Sequence, residues 1–170
     1  MPATDLYDQY SHFDPSNKIH HTAIIYPCVQ MGKNNVIGPY TVIGSDGEIR
    51  NCSTFNGTVE IGDGNVISEH VTIQRPAAKG QQTTIGNNNL IMAHSHIGHD
   101  AQVGSNCEIC TGTIIGGYVV VEDGAKLKLG VTVRNRKKIG RNALVGLGSA
   151  VVKDVEENTV CFGNPAKAKG

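Results

Sequence analysis

The chain has 170 residues, of which 39% are apolar and 18% are charged, with 15 basic and 15 acidic side chains. This balance is typical of one globular domain, and it excludes a disordered chain and a general attraction to nucleic acid or to an anionic membrane. No apolar run is long enough to span a bilayer, and neither a cleavable leader nor a regular cysteine spacing indicates secretion. We therefore expect a cytoplasmic protein without stable membrane insertion.

Residues 1–18 show no repeating pattern. Tyr7, Tyr10 and Phe13 give this segment apolar surface to bury. The sequence therefore predicts an N-terminal arm that packs over the first repeat or against a neighbouring subunit, with a contact to the substrate as the alternative.

A six-residue repeat occupies residues 19–153. Every sixth position from Ile19 to Val151 is apolar except Lys79, and the residue that follows is often glycine. The residue two positions earlier is mostly small, so both side chains can face inward from one short strand. Three strand-and-turn units close a triangular coil, and 23 such units predict seven to eight stacked coils. We expect the glycine or asparagine just beyond each strand to take the positive φ of the corner.

One irregularity interrupts this repeat. Residues 19–72 are predicted to be uninterrupted coil, with Ile49 and Phe55 in the inward column. Within residues 74–84, however, Lys79 would carry a charge into a dry core, which costs free energy. The sequence therefore predicts a loop there, either a tolerated surface excursion or a lip over a binding groove.

Three histidines lie close together directly after that loop, at positions 94, 96 and 99. His99 and Asp100 fall in a corner segment, and His96 should point outward from its strand. A neutral imidazole can take a proton from a hydroxyl or amine, and a carboxylate can orient the ring. One coil is eighteen residues, so stacking places Gly117 above His99. A backbone N–H there can stabilise an oxyanion.

Two further motifs follow. Cys107 and Cys110 have the CxxC spacing, but Cys107 falls in the small inward column, so we interpret it as core rather than as a zinc or redox site. Residues 134–138 are a basic run that is either solvated surface or an attraction for a phosphorylated ligand. Residues 154–170 are predicted to form a C-terminal cap or tail.

The tandem units of an aliphatic residue, glycine and four more residues resemble the hexapeptide-repeat acyltransferases over about residues 19–165. The resemblance implies an all-β fold, a left-handed parallel β-helix, and a homotrimer. The C-terminal stretch is similar to the ending of acetyl-CoA-dependent sugar acetyltransferases, and a simple end cap is the alternative. If the likeness extends to function, the CoA-binding residues are Gly163, Asn164, Pro165 and Lys167.

Residues 69–121 resemble the acyltransferase that loads UDP-N-acetylglucosamine in lipid A synthesis, most clearly at 71–75, 89–92 and 96–100. The match implies that His99 is the general base, Asp100 its partner and Gly117 the oxyanion donor. The residues expected to contact the substrate are His96 and three residues that replace histidines of that enzyme, Gln74, Tyr118 and Arg134.

The donor and the acceptor are less closely defined. That enzyme's helical C-terminal domain has no counterpart here, which favours acetyl-CoA over an acyl-carrier-protein thioester as co-substrate. The acceptor is expected to be a sugar or a nucleotide sugar. We expect no metal and no permanently bound cofactor.

Two other classes of function remain open. Carbonic anhydrases of the γ type share this fold and bind zinc between subunits through three histidines. His94 and His99 have a usable spacing for such a site, although Thr58 occupies the third position. The other alternative is a structural or assembly role without catalysis.

Overall fold

A computed structural model describes residues 10–50, 57–77 and 80–169 of the chain. Within these ranges the backbone forms 22 short strands in three sheets, and nearly all neighbouring strands are parallel. Strands are numbered in chain order.

The first sheet contains β1 (Lys18–Ile19), β4 (Val36–Ile37), β7 (Val66–Ile67), β10 (Leu90–Ile91), β13 (Glu108–Ile109), β16 (Lys126–Leu127), β19 (Leu144–Val145), β21 (Val160–Phe162) and β22 (Lys167–Ala168). The second contains β2 (Ile24–Ile25), β5 (Val42–Ser45), β8 (Thr72–Gln74), β11 (His96–Ile97), β14 (Ile114–Ile115), β17 (Thr132–Val133) and β20 (Ala150–Val151). The third contains β3 (Val29–Met31), β6 (Val59–Ile61), β9 (Thr83–Ile85), β12 (Gln102–Val103), β15 (Val120–Val121) and β18 (Lys138–Ile139).

Each turn of the chain adds one strand to every sheet, so the three sheets form the sides of a parallel β-helix. The third side of the seventh coil is a single parallel bridge between Ile139 and Val155. β21 then begins an eighth coil by pairing in parallel with β19. The predicted all-β fold and the predicted number of coils are confirmed.

The aliphatic column of the repeat fills the interior. Ile37, Ile97 and Ile115 are at most 1% exposed, as are most residues of this column. The small column lies beside it, and Cys107 belongs to it at 2% exposure, so its interpretation as core is confirmed.

The prediction for the glycine that follows each inward aliphatic residue was wrong at most corners, although Gly44 does have a positive φ, of 92°. Positive φ occurs two positions further on, for example 59° at Asp100, whereas Gly98 has no positive φ. Glycine is needed at 98 because the next coil lies very close. A Cβ there would be 2.8 Å from the Gly117 nitrogen and 2.9 Å from the Gly116 carbonyl carbon.

Two inserts leave the helical path, both directly after strands of the second sheet. Between β10 and β20, residues paired in adjacent coils are 18 apart, but Asn65 and Asn89 are 24 apart and Asn35 and Asn65 are 30 apart. The second insert, residues 75–82, confirms the predicted loop, although Lys79 lies outside the described residues.

The first insert, residues 46–58, contradicts the prediction of uninterrupted coil over 19–72. Ile49, which was expected to face inward, is 40% exposed, and Phe55 lies outside the described residues. Paired residues on either side of this insert are 30 positions apart in the chain instead of 18, so the insert adds twelve residues. Twelve is two whole repeats, so the six-residue phase on either side of the insert is unchanged.

The two ends of the β-helix are covered by other parts of the chain. At the N-terminal end the half-buried Tyr10 hydroxyl donates to the Ala23 carbonyl, and burial raises the pKa of Tyr10. At the C-terminal end β21 and β22 form an antiparallel hairpin. In the parts of the chain described, no helix is both long and apolar enough to cross a membrane.

Candidate active site

A histidine and an aspartate form a close pair at the corner that follows β11. His99 Nδ1 lies 2.7 Å from Asp100 Oδ2, and the two residues are 8% and 4% exposed. Neighbouring side chains in an extended strand point in opposite directions. Here the left-handed backbone of Asp100, with φ of 59°, brings the two side chains onto one face.

The carboxylate of Asp100 is held from several directions. Its Oδ2 also accepts the Ala77 N–H at 3.0 Å, and its own N–H donates to Thr83 Oγ1 at 2.9 Å. An ionised carboxylate only accepts, so the proton of the neutral His99 ring lies on Nδ1, and Nε2 then has a free lone pair. Asp100 Oδ1 is buried and has no hydrogen-bond partner among the described residues.

Gly117 lies beside the free nitrogen of His99. Ile97 and Ile115 are paired in register, and the Tyr118 N–H donates to the His99 carbonyl at 3.0 Å. A Cβ on Gly117 would overlap the imidazole around Nε2. Residue 117 therefore stacks over residue 99, as the eighteen-residue coil predicts.

Both inserts contact this pair. In the first insert, a Cβ on Gly47 would lie 2.9 Å from His99 Cβ, so only glycine fits there. In the second insert, Ala77 donates to Asp100. The inserts are joined where Arg75 Nε donates to Asp46 Oδ1 at 2.6 Å. Sequence reasoning missed both Gly47 and Ala77. The position of residues 74–84 directly before the histidines was a signal for Ala77, whereas no pattern indicated Gly47.

Gln74 and His96 lie on the β8–β11 side of the same site. Gln74 is 5% exposed, and its Oε1 accepts the His99 N–H at 3.3 Å. His96 Nδ1 lies 2.7 Å from Thr72 Oγ1. Burial lowers the pKa of His96; the charge of Glu48 opposes this shift and that of His99 adds to it.

Aromatic and basic side chains continue the site towards the C-terminal end. The Tyr118 ring meets the His99 ring edge to face, with centroids 5.1 Å apart. The guanidinium carbon of Arg136 lies 4.0 Å from the centre of the Tyr118 ring. Arg134 is exposed on the same corner. The sequence analysis named Tyr118 and Arg134 as substrate contacts, and it considered Arg136 only as part of the basic run 134–138.

The residues predicted to bind CoA are not next to the pair. Gly163 belongs to the hairpin that covers the C-terminal end, and its N–H donates to Ser149 Oγ at 3.0 Å. Asn164, Pro165 and Lys167 are exposed. Four coils at about 4.8 Å each separate this hairpin from His99, a distance of roughly 19 Å along the axis.

The structure also separates two histidines that were considered as a zinc pair. His94 lies on the corner after the first sheet, where its ring stacks on His70 at 4.9 Å. His99 lies on the corner after the second sheet. Within the ranges described, no group of three or more histidine, cysteine or acidic side chains is placed to hold a metal.

Comparisons with known proteins agree with the repeat and with the fold. Residues 82–117 match the family model "Bacterial transferase hexapeptide (six repeats)". These residues therefore carry the hexapeptide repeats of that family.

Its relatives are acyltransferases. A UDP-N-acetylglucosamine O-acyltransferase from Pseudomonas paraeruginosa, named for an acyl-carrier-protein donor, is 46% identical over 110 residues, which are 64% of this chain and 43% of the relative. The crystal structure of a UDP-N-acetylglucosamine acyltransferase from Bacteroides fragilis superposes with a TM-score of 0.88 and 32% identity, covering 91% of this chain and 61% of that one. This likeness confirms the left-handed parallel β-helix.

A perosamine N-acetyltransferase from Caulobacter crescentus shares the fold at a TM-score of 0.60 and 23% identity, covering 91% of this chain and 56% of that one. At that identity the comparison supports the fold alone. The hexapeptide-repeat protein spans about half the length of the curated relatives it matches, from 43% to 55%.

Proposed function

We propose that this hexapeptide-repeat protein is an acyltransferase. It would move an acyl group from a thioester to a hydroxyl or amine of a sugar or a nucleotide-linked sugar. The observation that carries the proposal is the His99–Asp100 pair, whose free Nε2 faces Gly117 on the corner of a β-helix. The similarity to UDP-N-acetylglucosamine acyltransferases supports the same reaction.

The reaction needs one base and one oxyanion donor. The acceptor oxygen or nitrogen attacks the thioester carbonyl carbon while its proton passes to His99 Nε2. Asp100 stabilises the imidazolium that results. The Gly117 N–H donates to the oxyanion of the tetrahedral intermediate. The carbon–sulfur bond then breaks, and the leaving thiolate takes the proton from Nε2, which restores the neutral ring.

The remaining predicted residues would contact the substrates. We assign His96, Tyr118 and Arg134 to the acceptor or the acyl group because of their positions. His96 lies on the strand that precedes the pair, Tyr118 contacts the His99 ring, and Arg134 lies further along the same corner. Gln74 reaches the acceptor less easily, since its side-chain oxygen already accepts the His99 N–H. The CoA-binding role of Gly163, Asn164, Pro165 and Lys167 requires a donor extended along the axis towards the hairpin.

Acetyl-CoA is the first candidate donor, and an acyl-carrier-protein thioester is the second. The names of the curated relatives favour the carrier protein. We further propose that the protein works in the cytoplasm as a homotrimer without a resident metal or cofactor, and that each site faces a neighbouring subunit.

The test is a pair of histidine variants. His99→Ala should remain folded and lose about 10²- to 10⁴-fold in turnover, the usual contribution of a general base. His94→Ala is the matched control because its exposed ring lies on another corner. Acetyl-CoA and acyl-carrier-protein thioesters should be assayed in parallel with sugar and nucleotide-sugar acceptors. Equal turnover in both variants would remove His99 from the reaction, and no turnover of any donor by the wild type would favour a structural role.

A further inference from the structure

Three side chains form a row that starts at the catalytic ring and leads along the corner. Tyr118 stands one coil above Asp100, and Arg136 one coil above Tyr118, as the backbone contacts Tyr118 N to His99 O and Arg136 N to Gly117 O show, each 3.0 Å. The Tyr118 ring meets the His99 ring edge to face, and the Arg136 guanidinium lies over the Tyr118 ring. Imidazole, phenol and guanidinium are therefore in contact in that order.

Arg136 has no acidic partner among the described residues. Of the four basic residues between 134 and 138, the lysines are paired: Lys137 lies 3.6 Å from Asp154, and Lys138 lies 2.7 Å from Glu122. Among the ion pairs of the described residues, neither Arg134 nor Arg136 takes part. The guanidinium groups of Arg134 and Arg136 are therefore exposed on the corner that carries the His99–Asp100 pair, without a carboxylate partner in the described parts of the chain.

The backbone at Arg136 adds an independent observation. Its φ is 62°, a left-handed conformation that is unfavourable for a long side chain. On the corner after the first sheet, φ at the equivalent positions lies between 57° and 71°. These positions hold Tyr40, His70 and His94 in the earlier coils and Gly112, Gly130 and Gly148 in the later ones. An arginine at such a position is tolerated at a cost in free energy, which is consistent with a functional role for its side chain.

We propose that Arg136, seated on Tyr118, is a binding site for a phosphate group of a substrate. Guanidinium groups recognise phosphate through two parallel hydrogen bonds. The stacking on Tyr118 restrains the side chain before the ligand arrives. Arg134, two residues earlier on the same corner, is placed to add a second contact. Two coils at about 4.8 Å put this site roughly 10 Å along the axis from the catalytic pair.

The proposal rests on the proposed function for the identity of the ligand. A phosphate at this distance from the reacting carbonyl has two sources: the phosphopantetheine arm of the thioester donor, or the diphosphate of a nucleotide-sugar acceptor. Both present the same phosphate ester chemistry to Arg136.

The experiment measures binding rather than turnover. Calorimetric titrations with CoA and, separately, with UDP-N-acetylglucosamine are made on the wild type, on Arg136→Gly and on the control Arg141→Gln, which alters an exposed arginine on the corner after the third sheet. Glycine suits a φ of 62°, so Arg136→Gly should keep or raise the melting temperature. It should weaken one of the two ligands by about 10- to 100-fold, the usual contribution of charged hydrogen bonds.

The ligand that is weakened identifies the source of the phosphate. The affinity of Arg136→Lys should fall between those of wild type and glycine variant, because the ammonium keeps the charge and loses the paired hydrogen bonds. Equal affinities in wild type, Arg136→Gly and Arg141→Gln would overturn the proposal, as would a wild type that binds neither ligand. Binding of this pattern by a protein without acyl transfer would overturn the proposed reaction and leave the phosphate site standing.

Discussion

The Cα of Gly117 lies against the imidazole of His99, and no side chain fits between them. A Cβ at 117 would overlap Nε2 and would stand 3.0 Å from Cδ2. The same two coils are joined by the hydrogen bond from Tyr118 N to His99 O at 3.0 Å. The stacking that builds the fold therefore also sets the distance between the proposed base and the proposed oxyanion donor.

Gly117→Ala should impair catalysis without unfolding the protein. The new methyl group pushes the imidazole away from its position, so turnover should fall by about 10²- to 10⁴-fold, as for loss of a general base. Steady-state kinetics and circular dichroism measure the two effects. Gly112→Asn is the control, because a side chain at 112 meets nothing within 4 Å and asparagine tolerates its φ of 71°. An alanine variant with full activity would contradict the assigned position of the base.

Asp100→Asn should lower turnover and leave the affinity for the acceptor nearly unchanged. Oδ2 accepts both from His99 Nδ1 and from the Ala77 N–H, and a neutral amide cannot stabilise the imidazolium in the same way. We expect a loss of about 10²- to 10⁴-fold in kcat. Kinetics with a fixed donor concentration give kcat and KM separately. If KM alone changed, Asp100 would be a binding residue rather than the partner of the base.

Gly98→Ala should destabilise the β-helix. A methyl group at 98 would press on the backbone of the next coil, 3.0 Å or less from atoms of residues 115–117. Overpacking of this kind costs about 1–3 kcal/mol in the free energy of unfolding. Denaturant unfolding measures the cost, and turnover should fall as well because Gly117 is displaced. An alanine variant as stable as the wild type would show that the coils can separate without penalty.

The sequence predicted the fold well because the repeat records the stacking directly. Each inward column must be apolar or small at every coil, so Ile97 and Ile115 could be placed without coordinates. The inserts could not be counted in this way. Their twelve and six additional residues are whole repeats, so Ile49 kept the phase of the core while standing outside it.

The site was only partly predictable for a related reason. His99, Asp100 and Gly117 lie on the regular path, where eighteen residues make one coil, and their relative positions follow from arithmetic. Gly47 and Ala77 reach the pair from inserts whose course no repeat describes. The position of Arg136 over Tyr118 could not be predicted for another reason. Its ring contact with Tyr118 depends on a left-handed corner, which the sequence analysis placed two residues too early.

His96 should make the protein less stable in acid. Burial lowers its pKa in the folded state, while the unfolded chain keeps the ordinary value of about 6.5. The unfolded chain therefore binds more protons, and the stabilising contribution is present above that value and is lost as the pH falls through it towards the folded-state pKa. His96→Gln should reduce the loss of melting temperature between about pH 7.5 and 5.5. Identical pH profiles for wild type and variant would exclude His96 as a cause.

Exchange of the charges of Asp46 and Arg75 should test whether the inserts position the catalytic pair. Arg75 bonds Asp46 at 2.6 Å, and its backbone N–H donates to Ser45 at 2.8 Å, so this contact fixes one insert against the other. Because Asp46 is largely exposed, Asp46→Arg and Arg75→Asp should each change stability by only about 1 kcal/mol or less.

Each single variant should nevertheless lower kcat. The packing of His99 against Gly47 and the hydrogen bond from the Ala77 N–H to Asp100 both depend on where the inserts lie. Amide exchange at Ala77 should become faster in parallel, since its N–H is held only while the insert stays in place. The double variant Asp46→Arg with Arg75→Asp restores opposite charges, and kcat and amide protection should both recover in part. Recovery of stability without recovery of kcat would show that the ion pair joins the inserts but has no part in placing the catalytic pair.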